Sequence, residues 1–401
     1  MNRRGKVLIL TAVAVVVVLY IEIFSYSLKA HLSWAKLPKL GSKSGKESEP
    51  FRILIVGDPQ IQGENDEPPL VGFITRWDSD RYLQRTYWLA RSHVQPHAVL
   101  FMGDLFDEGS KAEDAQYRRY LARFRKIFDL PKKNDPSDVT YVFLPGDNDV
   151  GGEGLEPVSN IKLKWFNQTF GDYKKPVSLH VGTSDIEFVQ FHEILPGFST
   201  GPGHGLENIL ERKTPDFRIL LSHASLLSFR SDSVQAAIDL VNPSLIISAH
   251  NHRSNYFKLE HGSRNSVHLS GIKNFMTAKA ESKGFQESDL VLPTESLKYF
   301  SFNLNKAPSE GTLHEINVPT CSYRMGVADM GYGYLQIYPD GSAAYTVLWT
   351  PSRFHQLFVY AAFFLLTKIA GYTWFFLKVG KALYQKCQQY RISGQKLHHV
   401  V

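Results

Sequence analysis

Side chains that can bind a metal ion stand directly after five short apolar runs of this chain. In chain order they are Asp58 and Gln60, then Asp104 and Asp107, then Asp147, Asn148 and Asp149, then His223, and finally His250 and His252. A single Asp at such a place is ordinarily a turn or helix-cap residue, and a single His-x-His is ordinarily a surface pair. Carboxylates gathered at one place, however, repel one another unless a cation lies between them, and carboxylates with imidazoles form the two-metal sites of hydrolysis at phosphorus. The set therefore predicts a centre for two divalent metal ions.

The apolar runs that precede these side chains are predicted strands, and helical patterns separate them. We predict strands over 51–57, 98–103, 139–145, 186–192, 217–222 and 244–249, and helices over 81–93 and 112–128. This alternation indicates an α/β domain, in which ligands bind at the carboxyl ends of the strands. The segment 333–349 is a predicted antiparallel hairpin with Asp340 and Gly341 at its turn. The segment 271–320 has little periodicity and is a predicted long loop over the site or the membrane.

Charge is distributed unevenly along the 401 residues, whose net charge is +6. The stretches 1–46 and 351–401 hold 15 of the 45 Lys and Arg and one of the 39 acidic residues, so they carry about +14 and the remainder about −8. Non-specific binding to nucleic acid needs a basic surface. The acidic central part therefore argues against nucleic acid as a partner.

Both ends of the chain carry apolar runs long enough to cross a membrane. The run within residues 1–28 follows three basic residues and lacks a clear A-x-A cleavage site, so we predict a transmembrane signal anchor, with a cleaved signal peptide as the alternative. The run 354–380 is a second predicted transmembrane helix, with a helix lying on the membrane surface as the alternative. One basic residue closely precedes this second run and five lie at or beyond its C-terminal end, which predicts that both termini are cytosolic.

The predicted spans divide the chain into segments. We predict a linker over 29–50, a lumenal domain over 51–350 and a basic cytosolic tail over 381–401. Asn167 begins the usable glycosylation sequon, Asn-Gln-Thr. Cys321 and Cys387 fall on opposite sides of the predicted membrane, so the lumenal domain depends on its core and on any bound metals rather than on a disulfide.

The order and spacing of these motifs resemble the calcineurin-like metallophosphoesterases, whose pattern is D-x-H, G-D-x-x-D, G-N-H-D/E, a later His and G-H-x-H. The corresponding stretches here are DPQ from Asp58, GDLFD from Gly103, GDND from Gly146, His223, and AHNH from Ala249. The resemblance covers about residues 51–255 and implies a four-layer α/β/β/α sandwich. It also implies two divalent metal ions, with Mn²⁺ the favoured ion.

The resemblance assigns a role to most of the polar residues at the strand ends. It implies that Asp104 bridges the two metals. It places Asp58 and His252 at one metal, with Gln60 as an optional further ligand. It places Asp147, His223 and His250 at the other metal.

Three further stretches, GDPQIQG, GDLFDEG and VPTCSYRMG, resemble the membrane-anchored branch of the family that acts on GPI anchors. The resemblance implies a phosphodiesterase that removes a side-chain ethanolamine phosphate from a GPI mannose, with GPI-anchored proteins or GPI glycolipid as substrate. It implies support of ER-to-Golgi transport of GPI-anchored proteins. It also implies a multi-pass membrane protein of the ER, its exit sites or the Golgi, with a lumenal catalytic domain.

One position departs from the family pattern. The family has a His before the acidic residue Asp149, where it acts as general acid near the leaving oxygen and is oriented by that acidic neighbour. This chain has Asn148 there, and an amide cannot supply a proton. His192 and His204 are the candidate substitutes, and a metal-bound water or the ammonium of the substrate are further ones.

Two other functions stay open at this point. Asn148 is compatible with a slow or inactive relative that binds GPI-linked cargo without cleaving it. The chain is also compatible with a membrane phosphodiesterase for lipid head groups or nucleotides.

Overall fold

The computed structural model describes residues 3–38, 49–131, 137–152, 156–182, 184–192, 214–228, 231–260, 267–270, 299–304 and 312–398. The chain divides into two units by its internal contacts. One, here called the terminal pair, comprises residues 1–22 and 352–401, and the other, the globular unit, comprises residues 23–351.

The globular unit contains two mixed β-sheets. The first has the strand order β10-β13-β12-β1-β2-β3, and the second has the order β4-β5-β6-β7-β11-β8-β9. Within the first, β1, β2 and β3 are parallel neighbours, and within the second, β5, β6 and β7 are parallel neighbours. The strands are β1 Phe51–Val56, β2 Ala98–Phe101, β3 Thr140–Phe143, β4 Val177–Val181, β5 Ser184–Phe191, β6 Phe217–Ser222, β7 Leu245–Ser248, β8 Asn255–Glu260, β9 Val267–Ser270, β10 Phe300–Asn303, β11 Thr312–Asn317, β12 Gly331–Ile337 and β13 Ser342–Trp349.

Alternation along β1 divides its side chains between two hydrophobic clusters. Phe51, Ile53 and Ile55 belong to a cluster formed by strand residues of both sheets, whereas Leu54 and Val56 belong to a cluster that includes helix residues. Successive side chains of a strand point to opposite faces of its sheet, so the first cluster fills the space between the sheets and the second lies under helices. The predicted α/β class is confirmed, with two sheets.

In the described part of the globular unit, helix α2 precedes the first strand and the other helices come between strands. They are α2 Ser25–Ser33, α3 Pro69–Val94, α4 Asp114–Ile127, α5 Asp147–Val150, α6 Asn160–Phe170 and α7 Asp232–Val241. The helix predicted over 112–128 is α4, and its Tyr117, Tyr120 and Phe124 are buried. Glu113 and Gln116 form a capping box at the start of that helix, in which each side chain accepts a hydrogen bond from the backbone N–H of the other residue.

Three sequence expectations need correction. The segment 271–320 was expected to be a loop, but its described part forms β10 and β11, and β11 is paired between β7 and β8. The sequence TLHEIN is polar and does not suggest a buried strand, but it forms β11, whose Glu315 is buried and hydrogen-bonded rather than solvated.

The predicted linker 29–50 begins as packed structure, because Trp34 is buried and its Nε1 donates to Trp349 O at 2.8 Å. Helix α3 begins at Pro69 rather than Arg81.

The terminal pair holds the two apolar runs. Helix α1, Arg3–Leu19, continues through a π-helical turn, Tyr20–Phe24, and α8 spans Arg353–His398, so the expected tail is helical as far as His398. Among the described residues, two stretches are long and apolar enough to cross a membrane, Val7–Ser33 with mean hydropathy 2.8 and Arg353–Gln389 with 1.4.

A polar contact joins the two helices within the terminal pair. Glu22 Oε1 accepts hydrogen bonds from both terminal nitrogens of Arg353 and from Tyr360 OH, each at 3.1 Å. Pairing the acidic residue of the first apolar run in this way offsets the cost of placing its charge beside apolar segments.

Candidate metal centre

The polar residues singled out by the sequence follow the carboxyl ends of strands in both sheets. They lie after β1 (Asp58, Gln60), β2 (Asp104), β3 (Asp147, Asn148, Asp149), β6 (His223) and β7 (His250, His252). Because neighbouring parallel strands end at the same edge of their sheet, these side chains converge. We refer to Asp58, Asp104, Asp147, His223, His250 and His252 as the Asp/His cluster.

The Asp/His cluster forms two groups that share one residue. Asp104, Asp147, His223 and His250 make up the first group, and Asp58, Asp104 and His252 make up the second. In each group the potential ligand atoms all lie within 4.8 Å of one another. The shared Asp104 is the residue that the family resemblance places between two metals.

Gln60 lies beside the second group. Its Nε2 is 2.8 Å from Asp104 Oδ2 and 3.4 Å from His252 Nε2. The amide oxygen is a metal ligand and the amide nitrogen is not, and a rotation of the amide by half a turn exchanges them. Gln60 is therefore placed to supply one further oxygen to this group.

The first group is organised around His223. Its Nδ1 lies 2.7 Å from Met102 O, which fixes Nδ1 as the donor and leaves Nε2 free to act as a ligand. Nε2 lies 3.0 Å from Asp147 Oδ1 and 3.4 Å from Asp104 Oδ1. His250 completes the group, with Nδ1 at 3.3 Å from Asp147 Oδ1.

Backbone conformation is strained at these strand exits. Positive φ angles occur at Asp58 (41°), Gln60 (37°), Asp104 (52°), His250 (65°) and His252 (57°). Among the described residues only three other non-glycine positions have such angles. Each costs on the order of 1–3 kcal/mol and persists only where the surroundings hold it, which is typical of functional sites.

Two glycines allow the strand exits to approach each other. A Cβ at Gly146 would lie 2.1 Å from Asp104 Oδ1, and Gly103, with φ of 98°, would place one 2.3 Å from His223 Nδ1. These two glycines are therefore required by the close packing of the cluster itself.

Burial and mutual repulsion shift the acid–base properties of the cluster. Burial, reinforced by Asp104 and opposed by His223, raises the pKa of Asp58 to about 7. Although burial lowers the pKa of His223, the carboxylates of Asp104 and Asp147 hold it well above its ordinary value. Burial opposes ionisation of Asp147, but hydrogen bonds from His223 and His250 hold its pKa well below the usual range. Such opposed shifts indicate close negative charges that a cation would stabilise.

Asp149 binds the backbone of the loops that carry the cluster rather than another side chain. Its fully buried carboxylate accepts backbone N–H groups of Leu105 (3.1 Å) and Gly146 (2.9 Å) at Oδ2 and of Phe106 (3.0 Å) at Oδ1. Leu105 and Phe106 directly follow Asp104, and Gly146 directly precedes Asp147. Asp149 is thus a positioning residue, although the resemblance implied that it orients residue 148.

Asn148 contacts the shared carboxylate directly. Its Nδ2 donates to Asp104 Oδ2 at 2.9 Å, and its backbone N–H donates to Asp104 Oδ1 at 3.0 Å. The amide therefore lies at the centre, where it can orient Asp104 but cannot protonate a leaving group.

The expected substitute acids and the sequon have different outcomes. His192 follows β5 and is buried, and its ring stacks on that of His223 with centroids 6.3 Å apart. Burial lowers the pKa of His192 to about 3, so its ring is neutral near pH 7. His204 lies outside the described residues.

Asn167, the first residue of the predicted glycosylation sequon, lies half-buried in the last turn of α6, and its glycosylation stays a prediction.

Several supporting residues were missed by sequence reasoning. Glu315 accepts from the backbone N–H groups of Leu226 (3.1 Å) and Leu227 (2.7 Å), which lie shortly after His223. Thr320 Oγ1 donates to Asp58 O at 2.7 Å. The sequence stretch VPTCSYRMG contains Thr320 and could have drawn attention to it, but the stretch does not indicate which residue Thr320 contacts.

The residues present fit divalent metal ions. The donor set is carboxylate oxygen and imidazole nitrogen, which suits first-row divalent ions. Asp58 Oδ2 is buried and has no hydrogen-bond partner among the described residues, as expected of an oxygen reserved for another ligand. Asp104 contributes to both groups, so two ions can be held side by side.

Comparison with known proteins agrees with this geometry. The family model described as calcineurin-like phosphoesterase matches residues 51–254, which is half of the chain and includes the whole cluster. The chain belongs to the calcineurin-like phosphoesterase family. The expectation of that family from the sequence motifs is confirmed.

Curated relatives place the chain near one branch of the calcineurin-like phosphoesterases. It is 31% identical over 186 residues to cell division control protein 1 of Saccharomyces cerevisiae, covering 45% of this chain and 36% of that protein. It is 28% identical over 173 residues to metallophosphoesterase 1 of Rattus norvegicus, covering 42% and 40%. It is 30% identical over 120 residues to a metallophosphoesterase 1 homolog of Drosophila melanogaster, covering 30% of each. The matches thus span 40% or less of these relatives' own length.

Proposed function

We propose that this chain is a phosphodiesterase that depends on two divalent metal ions, with Mn²⁺ the favoured ion. The observation that carries the proposal is the sharing of Asp104 by two groups of ligand-type side chains. One ion would be held by Asp58, Asp104 and His252, with Gln60 in reach. The other would be held by Asp104, Asp147, His223 and His250.

Metal ions held in this way act as Lewis acids toward phosphoryl oxygens and lower the pKa of water to near neutrality. The chain's own contribution is positional. His223 is oriented by Met102 O, and Asp149 connects the loops after β2 and β3. Asn148 orients Asp104 and offers its amide to a bound phosphate, but it leaves proton transfer to the leaving oxygen to another group.

We assign ethanolamine phosphate on a GPI mannose as the substrate, so that GPI-anchored proteins or GPI glycolipid are the partners. The resemblance of GDPQIQG and GDLFDEG to the GPI-active branch supports this assignment, as does the similarity to cell division control protein 1 and metallophosphoesterase 1. Ethanolamine phosphate carries its own ammonium, which can supply the proton that Asn148 cannot. The substrate proposal is thus compatible with the departure from the family motif.

The proposal includes a four-layer domain between two membrane spans, in the ER, its exit sites or the Golgi. Two apolar terminal helices support the spans. Five basic residues at or beyond the C-terminal end of the second span support cytosolic termini and a lumenal globular unit.

Hydrolysis by the full chain in detergent tests the reaction. With Mn²⁺ we expect hydrolysis of a generic aryl phosphodiester by the wild type and a large loss in Asp104→Asn. Equal rates in the two proteins would exclude the metal mechanism. For the substrate, cells lacking this protein are expected to retain ethanolamine phosphate on the second mannose of GPI, and an unchanged GPI glycan would exclude that assignment.

One alternative is favoured by a specific observation. Because the Asn148 amide occupies the general-acid position and is engaged with Asp104, the chain is also a candidate for a catalytically weak relative that binds GPI-linked cargo. A wild type that is silent toward both an aryl diester and an alkyl diester, and that gains activity toward the alkyl diester in Asn148→His, would establish this alternative and refute the enzymatic proposal.

A further inference from the structure

The N-terminal half of α3 leaves large apolar side chains in solvent. Leu70, Phe73, Ile74 and Trp77 are 85%, 69%, 61% and 54% exposed. At about 100° per residue these positions fall on one face of the helix. We call them the apolar stripe of α3. A row of this kind on a water-facing helix is typical of a surface that meets a partner or a membrane.

The next turn of α3 is attached to both points where the chain enters the globular unit. The ring of Tyr82 lies 6.1 Å from that of Tyr26, which is in the last part of the first candidate span. The Tyr82 hydroxyl bonds Thr350 Oγ1 at 2.7 Å and Pro351 O at 2.9 Å. Pro351 stands two residues before Arg353, where the second candidate span begins. Helix α3 is therefore held beside both ends of the membrane anchor.

Helix α3 runs in parallel with α2 within the globular unit. Tyr26 of α2 contacts Tyr82, and Trp34, just after α2, contacts His93 with ring centroids 5.3 Å apart. The two helices therefore run in the same direction. Since α2 is the last part of the first candidate span, positions of α3 before Tyr82 lie toward the N-terminal end of α2. At about 1.5 Å per residue, the stripe from Trp77 back to Leu70 lies roughly 7 to 18 Å beyond Tyr82 in that direction.

We propose that the apolar stripe of α3 inserts into the head-group and upper acyl region of the bilayer that the terminal helices cross. This inference rests on the proposed membrane spans. The Arg81 guanidinium lies 4.6 Å over the Trp77 ring, on the same face, where it can meet lipid phosphate while its stem remains among apolar groups. The tether keeps this bilayer at high effective concentration, which favours it over a second protein as the occupant.

Insertion of the stripe would also orient the Asp/His cluster. Helix α3 begins nine residues after Gln60, and Arg76 Nη1 donates to Gly63 O at 3.2 Å, so the helix is joined to the loop that leaves the cluster. With the first turns of α3 held in the bilayer, the cluster is held at a fixed distance from the surface. Such an arrangement suits a phosphodiester attached to a lipid better than one free in solution.

Two isoleucines of equal exposure provide a matched test. Ile74 in the stripe is 61% exposed and Ile161 on α6 is 62% exposed. In a Cys387→Ser background, where Cys321 is buried, Ile74→Cys and Ile161→Cys would each be labelled with an environment-sensitive fluorophore. The full chain would be placed at one copy per phosphatidylcholine nanodisc containing lipids spin-labelled near the head group. We expect several-fold stronger quenching at position 74 than at position 161.

A third label separates failure of the inference from failure of the membrane spans. Val15→Cys, within the first span, is expected to be quenched by lipids spin-labelled deeper in the acyl chains. Quenching at position 15 with equal, weak quenching at positions 74 and 161 would overturn membrane contact by the stripe and leave the spans intact. No quenching at position 15 would overturn the spans and the inference together.

Discussion

The substitution Asp149→Asn tests how the metal centre is positioned without removing any proposed ligand. Asp149 is buried, and its two carboxylate oxygens accept three backbone N–H groups. The donors belong to the loops after β2 and β3, which carry Asp104 and Asp147. The substitution keeps the size of the side chain and replaces one acceptor oxygen by an NH₂ donor.

The magnitude follows from the three hydrogen bonds. The remaining oxygen of an Asn can keep the bonds to Leu105 and Gly146, which share Oδ2 in the wild type. Its NH₂ group then faces the N–H of Phe106, and one buried donor loses its acceptor. That loss costs about 1–3 kcal/mol of unfolding free energy. Because the affected loop carries Asp104, we also expect metal affinity to fall by roughly 10- to 100-fold, as for other residues that orient metal ligands.

Glu108→Gln is the matched control. Glu108 is also a buried carboxylate that accepts three backbone N–H groups, those of Glu64, Asn65 and Asp66, but these residues carry no member of the cluster. Both variants are expected to unfold at lower urea concentration, and only Asp149→Asn is expected to bind Mn²⁺ more weakly by calorimetry. Equal weakening in both variants would show that metal affinity merely follows stability. Unchanged affinity in Asp149→Asn would refute the positioning role.

Three further predictions concern the same centre. Asn148→His is expected to accelerate cleavage of a diester with an alkoxide leaving group by about 10²-fold and to leave a nitrophenyl diester nearly unchanged, because nitrophenolate departs without a proton; a fall with both substrates would contradict a general-acid position. Removing metal with EDTA is expected to lower the thermal midpoint of the wild type and to leave that of Asp104→Asn unchanged. The loss is equivalent to about 2.7 kcal/mol of unfolding free energy if the metal had been present at a hundred times its Kd. Equal shifts in the two proteins would show that the stabilising metal binds outside the Asp/His cluster. Gly146→Ala is expected to weaken Mn²⁺ binding, because its Cβ would lie 2.1 Å from Asp104 Oδ1; unaltered calorimetric affinity would show that the loops move apart without consequence.

The sequence predicted the positions of the strand exits because local chemistry marks them. A β-branched run such as ILIV is buried on both faces of its strand, and the polar residue that ends it is conspicuous. Five such exits lie close to the predicted places, and their parallel pairing brings the polar residues together. What could not be predicted is the conformation there, since the positive φ angles of Asp58 and Asp104 depend on packing between loops distant in sequence.

Prediction from the sequence failed where a polar residue is buried or where apolar residues are exposed. Strand β11 contains Glu315, whose charge suggests a loop although its carboxylate is buried against backbone N–H groups. The first turns of α3 show the opposite case, because Leu70 and Phe73 are apolar but exposed. Helical periodicity is recognised from apolar residues that face the core. The apolar residues in the first turns of α3 face solvent instead, so the predicted helix began at Arg81 rather than at Pro69.

Metal stoichiometry is the most direct test of the centre proposed here. Native mass spectrometry of the full chain with Mn²⁺ is expected to find two ions bound to the wild type, since two groups share Asp104. His252→Ala is expected to lose one ion, because His252 belongs to a single group, whereas Asp104→Asn is expected to lose both. A single ion in the wild type, or two ions retained in Asp104→Asn, would contradict a shared carboxylate at the centre.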